Sequence, residues 1–386
     1  MDANFKISAI LKYTAFVLIA IGIIAMSIGF VVNPGRAWAN FLLNNYYFLS
    51  LAIGATFFMT IQHITQSGWS SMFKRIPEAI GSYIPIAGIL MLVLLLGSHY
   101  LYQWSYMESV TGDELLEHKS PYLNIPFFTI RIVLFFAAWI IMVRLLRRES
   151  LREDINGGLD HFNKSEFYSK VFIFILAITF SLGTFDWIMS IDAYWFSTIF
   201  ALKNLVSAFY HACAVILLIL LLLNGKGYFK LLNKYHLHDF ARYMFMLGII
   251  WAYFWFSQFL LIWFANLPEE TTYFTTRLSN EWKPLFFANI ILNFFIPFLV
   301  LIFNQADRNK PVLIIICLIL IIGQWVDLYL QIAPGSVGEF HIGVIEIGAF
   351  LGFTGLFAFI VARSLYKAPL IPKNHPYLEE SMYHRF

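Results

Sequence analysis

Ten separate apolar stretches, each near or above the roughly 20 residues that cross about 30 Å of hydrocarbon, fill nearly all of this 386-residue chain. They lie at residues 10–32, 46–65, 83–104, 125–146, 171–190, 196–223, 240–265, 285–303, 312–332 and 343–365. A chain built this way folds in lipid, where each backbone polar group has to be satisfied inside the protein. Membrane strands would be about 10 residues long with alternating polarity, and none of these stretches alternates that way. The predicted fold class is therefore all-α, a polytopic membrane protein of ten transmembrane helices forming one integral membrane domain, 1–386. Only 13% of the residues are charged, against about 25% in soluble domains. Each ionisable side chain left inside a span becomes a clue to function, because hydrocarbon penalises it unless it is paired or hydrated.

Lysine and arginine set the orientation. Of the 26 basic residues, all but Arg36, Lys119, Arg131, Lys203, Arg277 and Lys283 fall on the side of the amino terminus. The excess predicts that both termini are cytoplasmic. The net charge of +3 arises in these loops and does not point to nucleic acid. The first span is too long for a signal-peptide core and lacks an A-x-A-like cleavage site, so it is expected to stay as helix 1. The charged segment 147–170 contains Gly157-Gly158 and reads as a hinge loop between two halves. Pro369, Pro372 and Pro376 make the tail 367–386, expected on the cytoplasmic side, an extended strap rather than a helix.

The chain offers little for a redox centre. Its two cysteines, Cys213 and Cys317, stand singly in different spans, which leaves no ligand set for an iron–sulfur cluster, c-type haem or structural zinc. Among ten histidines only His63, His99 and His211 fall within spans, at staggered depths that do not suit a bis-histidine haem. No metal site and no covalently held cofactor is expected.

Counting about 1.5 Å per residue from the helix ends places Asp186, Asp327, Glu346, Arg131, Lys203 and His99 in one band on the side away from the basic loops. Such a band can be a set of interhelical ion pairs or a proton-exit or quinol site. Lys203, Ser207 and His211 stand at i, i+4 and i+8, hence on one helix face leading toward the membrane centre. A histidine there can take and give protons near neutral pH. Thr56, Thr60 and His63, with Gln62 and Gln66, form a second polar run toward the basic side, although threonine hydroxyls often bond back to their own helix. The candidate proton relay thus comprises Asp186, Lys203, Ser207, His211, Asp327, His63, Glu346, Arg131 and His99.

Two long motifs carry a family resemblance. One is Ser181-Leu-Gly-Thr-Phe-Asp-Trp-Ile-Met-Ser-Ile-Asp-Ala-Tyr-Trp-Phe-Ser-Thr198. The other starts at His238-Asp-Phe-Ala-Arg-Tyr-Met-Phe, continues through Trp251-Ala-Tyr-Phe-Trp-Phe-Ser-Gln-Phe-Leu-Leu-Ile-Trp263 and reaches Asn266-Leu-Pro-Glu-Glu270. Together with Asp327-Leu-Tyr329 they resemble the ActF-type membrane subunit of alternative complex III, a bacterial quinol:electron-acceptor oxidoreductase distantly related to polysulfide-reductase-type membrane subunits. The resemblance covers essentially the whole chain. It implies two four-helix bundles, 46–190 and 196–332, with the first and last helices outside them. It also implies residence in the bacterial cytoplasmic membrane and a set of partners: a sister ten-helix quinol-binding subunit, a periplasmic iron–sulfur subunit, c-type cytochrome subunits and small membrane anchors. Where the family pattern has Pro-His-Trp, this chain has Ala193-Tyr194-Trp195, so any role of that histidine is absent or moved.

The resemblance implies a subunit of an oxidoreductase complex without a redox centre of its own, whose electrons leave through its partners. Its contribution would be scaffold and proton conduction, with quinol binding in this subunit a hypothesis. Two other classes stay open: a secondary transporter acting alone, and a purely structural subunit. Against the transporter, no pair of Gly/Pro-broken helices occupies corresponding positions in two halves.

Overall fold

The computed structural model describes residues 5–106, 110–303 and 305–385. Among the described residues there are ten helical spans long and apolar enough to cross a membrane: α1 (Ala9–Val32), α2 (Pro34–Ile64), α3 (Arg75–Leu101), α4 (Ile125–Asn156), α5 (Asp160–Ile191), α6 (Thr198–Gly225), α7 (Lys234–Ala265), α8 (Lys283–Leu301), α9 (Lys310–Ser336) and α10 (Val344–Tyr366). Among the described residues there is no strand.

Polar residues at the helix starts fix where several spans begin. The Ser8 hydroxyl accepts from the Leu11 N–H, Asn33 from Arg36, and Asn124 from Phe127, each satisfying a donor that a helix start leaves without an intrahelical partner. Pro34 follows its cap directly, where a missing N–H costs nothing. These caps explain why α2 begins twelve residues before the apolar stretch at 46. Its first turns carry Arg36, Asn40, Asn44 and Asn45, which hydropathy rejects but which are paired inside the protein.

Contacts between neighbours run from α2 through α3, α4 and α5 back to α2, and from α6 through α7, α8 and α9 back to α6. The two sets meet where α2 crosses α6, and these are the two most deeply buried spans. The crossing is close because Gly54 has no side chain: a Cβ there would stand 2.0 Å from the Ala208 carbonyl oxygen. α1 lies along α10, with a second close approach at which a Cβ on Gly22 would stand 2.3 Å from the Gly352 Cα. Small residues admit such contact between membrane helices, where packing rather than water exclusion drives association.

The segment 147–170 is not the hinge loop expected. α4 continues to Asn156 and α5 starts at Asp160, with Gly157 and Gly158 at φ +65° and +76° making the turn. The helix can carry these charges because Glu149 and Glu153 are buried and paired, with His161 and Lys74 respectively. The tail runs as a strap through its prolines but then forms a short helix, Leu378–Met382. It is tied down by Ser71 Oγ donating to the Tyr377 carbonyl at 2.9 Å, Ser381 Oγ donating to the Trp69 carbonyl at 2.6 Å, and Asn233 Nδ2 donating to the His384 carbonyl at 2.9 Å. It therefore spans both sets of helices across the basic end of the molecule.

Candidate functional site

The buried charges of the band away from the basic loops resolve into separate pairs. Arg131 on α4 meets Asp186 on α5 with two hydrogen bonds, Nε to Oδ2 at 2.6 Å and Nη2 to Oδ1 at 3.1 Å. Its Nη1 donates to the Tyr122 carbonyl at 3.0 Å, and the guanidinium lies 3.9 Å from the centre of the Tyr122 ring. Such a two-pronged pair, with cation–π support, is geometrically rigid. Outside the span, burial and the nearby Asp186 carboxylate push the Tyr122 phenol up to about 12.

Glu346 takes a partner that the spacing of the spans did not suggest. Its carboxylate accepts from Arg36 Nε at 2.6 Å and from Asn40 Nδ2 at 2.9 Å, and it also caps its own helix by accepting the Gly343 N–H at 2.7 Å. His99 does not belong to the buried band at all. It is exposed, in the last turn of α3, with its ring 4.0 Å from that of Tyr100. The helix ends two residues beyond it, at Leu101, and the side chain lies on the outside of the bundle.

The most elaborate site surrounds Lys203 and Asp327. The ammonium on α6 pairs with Asp327 Oδ2 on α9, and both side chains are almost fully buried. Asp327 also accepts from Asn289 Nδ2 at 3.0 Å and Gln331 Nε2 at 2.9 Å. Behind Asn289, Asn293 Nδ2 donates to the Asn289 amide oxygen at 2.7 Å and to the Gly323 carbonyl at 2.8 Å, and Gln324 Nε2 donates to Asn293 Oδ1 at 2.8 Å. A run of carboxamides thus extends from the pair between α8 and α9. Asn293 sits within a five-residue π-helical turn, Ile291–Phe295, of the kind often found at functional sites. Gly323 makes room for it, since a Cβ there would stand 2.8 Å from Asn293 Oδ1.

Taking two ions out of water costs several kcal/mol each, and this pair recovers the cost only through its mutual attraction and the flanking donors. Hydrophobic side chains of the same volume would hold α6 against α9 as well or better. A fully buried, hydrogen-bonded Lys–Asp pair inside a membrane therefore asks for a functional reason.

Ser207 and His211 continue the α6 face as expected, both buried, but no hydrogen bond among the described residues carries on from Lys203 to either. The Ser207 hydroxyl and His211 Nε2 have no partner there. The His211 ring packs 4.4 Å from that of Tyr47. On α2, Thr56 and Thr60 bond back to the carbonyls of Ala52 and Phe57. His63 pairs with Ser169 Oγ at 3.2 Å and borders a cavity of about 20 Å³ with Gln62, Lys74 and His375, room for about one water. Burial pushes the Lys74 ammonium down from its ordinary range. The His375 imidazole falls to about 2 through burial, followed by the positive charge of Lys74.

Several further buried ionic residues lie outside the charged band predicted from the sequence. Arg277, at the end of the short helix Pro268–Arg277, is 3% exposed. Its Nε donates to the Leu330 carbonyl at 2.7 Å, which lacks an ordinary helical donor because the residue four positions on is Pro334. Its Nη2 reaches the Gln331 carbonyl at 3.0 Å and Asp192 Oδ2 at 3.2 Å. Around the basic end, Arg75 meets Glu78 at 2.8 Å and also pairs with Asp154, while Arg147 meets Glu78 at 2.5 Å. A usable signal existed for the carboxamides: Asn289 and Asn293 are i, i+4, and Gln324, Asp327 and Gln331 are i, i+3 and i+7, each set on one helix face.

The fold and the site define a multi-pass helical membrane protein with buried, carboxamide-braced ion pairs. No family model matches the chain, and no curated protein sequence matches it.

Proposed function

We propose that this chain is the ActF-type membrane subunit of a quinol-oxidising respiratory complex of the alternative complex III kind. In this reading it sits in the bacterial cytoplasmic membrane with both termini cytoplasmic. A sister ten-helix subunit binds quinol, and the electrons pass to a periplasmic iron–sulfur subunit and c-type cytochrome subunits. This chain supplies scaffold and a proton route. The observation that carries the reading is the buried Lys203–Asp327 pair with Asn289 and Gln331 on its carboxylate. A buried ion pair whose carboxylate is also held by neutral donors can shift a proton between partners without losing its hydrogen-bond shell. Intramembrane ionisable groups of this sort mark proton relays.

The two-pronged Arg131–Asp186 pair favours a second, narrower reading, in which part of the outer charge layer is structural. A mild-detergent pull-down from the native membrane tests the assignment. Co-purifying c-type haem and quinol:acceptor activity support it, whereas a colourless, solitary protein moves the stand-alone transporter forward. Within an active complex, Asp327→Asn and His211→Ala separate the roles. Unchanged turnover and unchanged proton release in both would leave the chain a scaffold.

A further inference from the structure

Beside Asp192 and Arg277, at the end of the molecule away from the basic loops, lies a cavity of about 140 Å³. That is room for several waters. Its walls come from the loop after α5, the helix Pro268–Arg277 and the Pro334-Gly335 step in the last turn of α9. Ala193, Trp195 and Thr276 are among the residues lining it.

Three features give it a chemistry. The first is Arg277, pinned by backbone carbonyls of Leu330, Gln331 and Tyr273, the last at 2.8 Å. Its guanidinium lies 3.4 Å from the Tyr273 ring centre, and that ring stacks at 3.9 Å on Trp195. The arginine therefore stays in place, whereas Asp192 is held by a single long contact and its side chain is 29% exposed. The second is a pair of buried polar atoms of opposite character beside it with no partner among the described residues: the indole Nε1 of Trp195, a lining residue, and Gln331 Oε1, an acceptor on the residue whose carbonyl holds Arg277. Burying such groups unbonded is costly, and bridging waters relieve it. The third is the link inward. Gln331 accepts from Arg277 through its carbonyl and donates through Nε2 to Asp327. One residue thus joins the cavity wall to the buried pair.

We propose that this cavity is a hydrated vestibule through which the Lys203–Asp327 pair exchanges protons with the side of the membrane opposite the basic loops, Asp192 being the group that meets bulk water. The inference rests on the proton-conducting reading above and adds the exit to it. A proton leaving the Lys203–Asp327 pair crosses by way of the Gln331 amide, which separates the pair from the cavity wall, to a vestibule water, then to the Asp192 carboxylate, and is released from there to bulk water. No electron moves and no co-reactant is needed. The charged and titratable groups around Asp192 are Arg277 and Tyr273, with Lys119 on the Ala193 carbonyl at 2.6 Å and Tyr194 paired to Asp113 at 2.5 Å on the neighbouring loops. Gly335 leaves the carboxylate its space, since a Cβ there would stand 2.6 Å from Asp192 Oδ1.

Two measurements on the full chain in its native membrane test this. Ala193 is 3% exposed but lines the cavity, so Ala193→Cys should react with a small membrane-impermeant thiol reagent from the side opposite the basic loops only. Cys213 and Cys317 are buried and give little background. Failure to react from that side, or reaction from the basic side, overturns the vestibule. In sealed vesicles, proton release per quinol oxidised should fall about tenfold in Asp192→Asn and several-fold in Trp195→Phe, with Asp192→Glu close to the unsubstituted chain. If Asp327→Asn abolishes release while Asp192→Asn and Trp195→Phe keep it, the vestibule is wrong and the relay stands. If Asp327→Asn also keeps it, the relay reading fails, and the proposed exit with it.

Discussion

Removing one member of the Lys203–Asp327 pair should be far more damaging than removing both. Asp327→Asn keeps the shape of the side chain but leaves the Lys203 ammonium without its counter-charge. It also turns one amide hydrogen-bond donor toward Lys203, Asn289 and Gln331, which are donors already. Lys203→Met fills a similar volume but strands the Asp327 carboxylate with two neutral donors. Each substitution leaves an uncompensated buried charge, and each should cost about 3–5 kcal/mol. If the effects were independent, the double variant would lose about 6–10 kcal/mol, comparable to the whole stability of many proteins. With no stranded charge left, Lys203→Met/Asp327→Asn should instead fall within about 2 kcal/mol of the unsubstituted chain, a coupling of at least about 4 kcal/mol. Reversible unfolding of the purified chain by sodium dodecyl sulfate in mixed micelles, followed by far-ultraviolet circular dichroism, measures all four corners of the cycle. Single variants that each cost under about 1 kcal/mol and simply add would refute the argument, because the two groups would then be solvated rather than buried as a pair.

Other consequences are sharper in kind. Gly54→Ala should destabilise by about 1–3 kcal/mol through the Ala208 carbonyl at the α2–α6 crossing, whereas Gly225→Ala, whose Cβ meets nothing within 4 Å, should not; the same unfolding assay compares them. His375 is neutral in the folded tail because its pKa is lowered to about 2, against about 6.5 when unfolded. Its contribution is therefore complete above about pH 6.5 and is lost as the pH falls below that, at up to about 1.4 kcal/mol per pH unit. Local opening of the tail, read as hydrogen exchange relative to the intrinsic rate at each pH, should rise between pH 7 and 5, and His375→Phe should flatten that rise; an equally steep rise in the variant would remove His375 as its cause. Pro334→Ala supplies an N–H to the Leu330 carbonyl that Arg277 now uses. It should loosen the Arg277–Asp192 contact without lengthening α9, and reactivity of Ala193→Cys on that background should change if Arg277 helps to shape the cavity.

Hydropathy made the spans legible because lipid burial acts on long averages, and ten apolar runs map onto ten membrane-length helices. It could not find their ends where the terminal turns are polar but internally paired, as with Arg36 and Asn40 at the start of α2 or Glu149 and Glu153 at the end of α4. The Glu346 partner was hidden for that reason: Arg36 lay ten residues outside the apolar stretch that defined its helix. Depth counting placed Arg131, Asp186, Lys203 and Asp327 correctly as buried charges, yet it could not say which met which, because that depends on helix rotation and neighbours. It also grouped His99 with them, although that side chain is exposed on the outside of the bundle, a rotation that a residue count does not carry. The carboxamides escaped notice because asparagine and glutamine add no charge, although their helical spacing was there to be read.

The seam between α1 and α10 joins the first span to the last, with Gly22 and Gly352 in contact across 330 positions of sequence. At about 5–20 residues per second, ribosomes need roughly 15–65 s to make the intervening chain. Throughout that interval the first helix has to wait in the bilayer without its main neighbour. It is equipped for this, with the highest mean hydropathy of the ten spans, 2.8, and an outward face of isoleucine, valine and phenylalanine. The same delay leaves a glycine-bearing surface open to any other helix that passes. The arrival of α10, which also brings Glu346 to Arg36, is thus the moment at which this seam closes against unwanted neighbours.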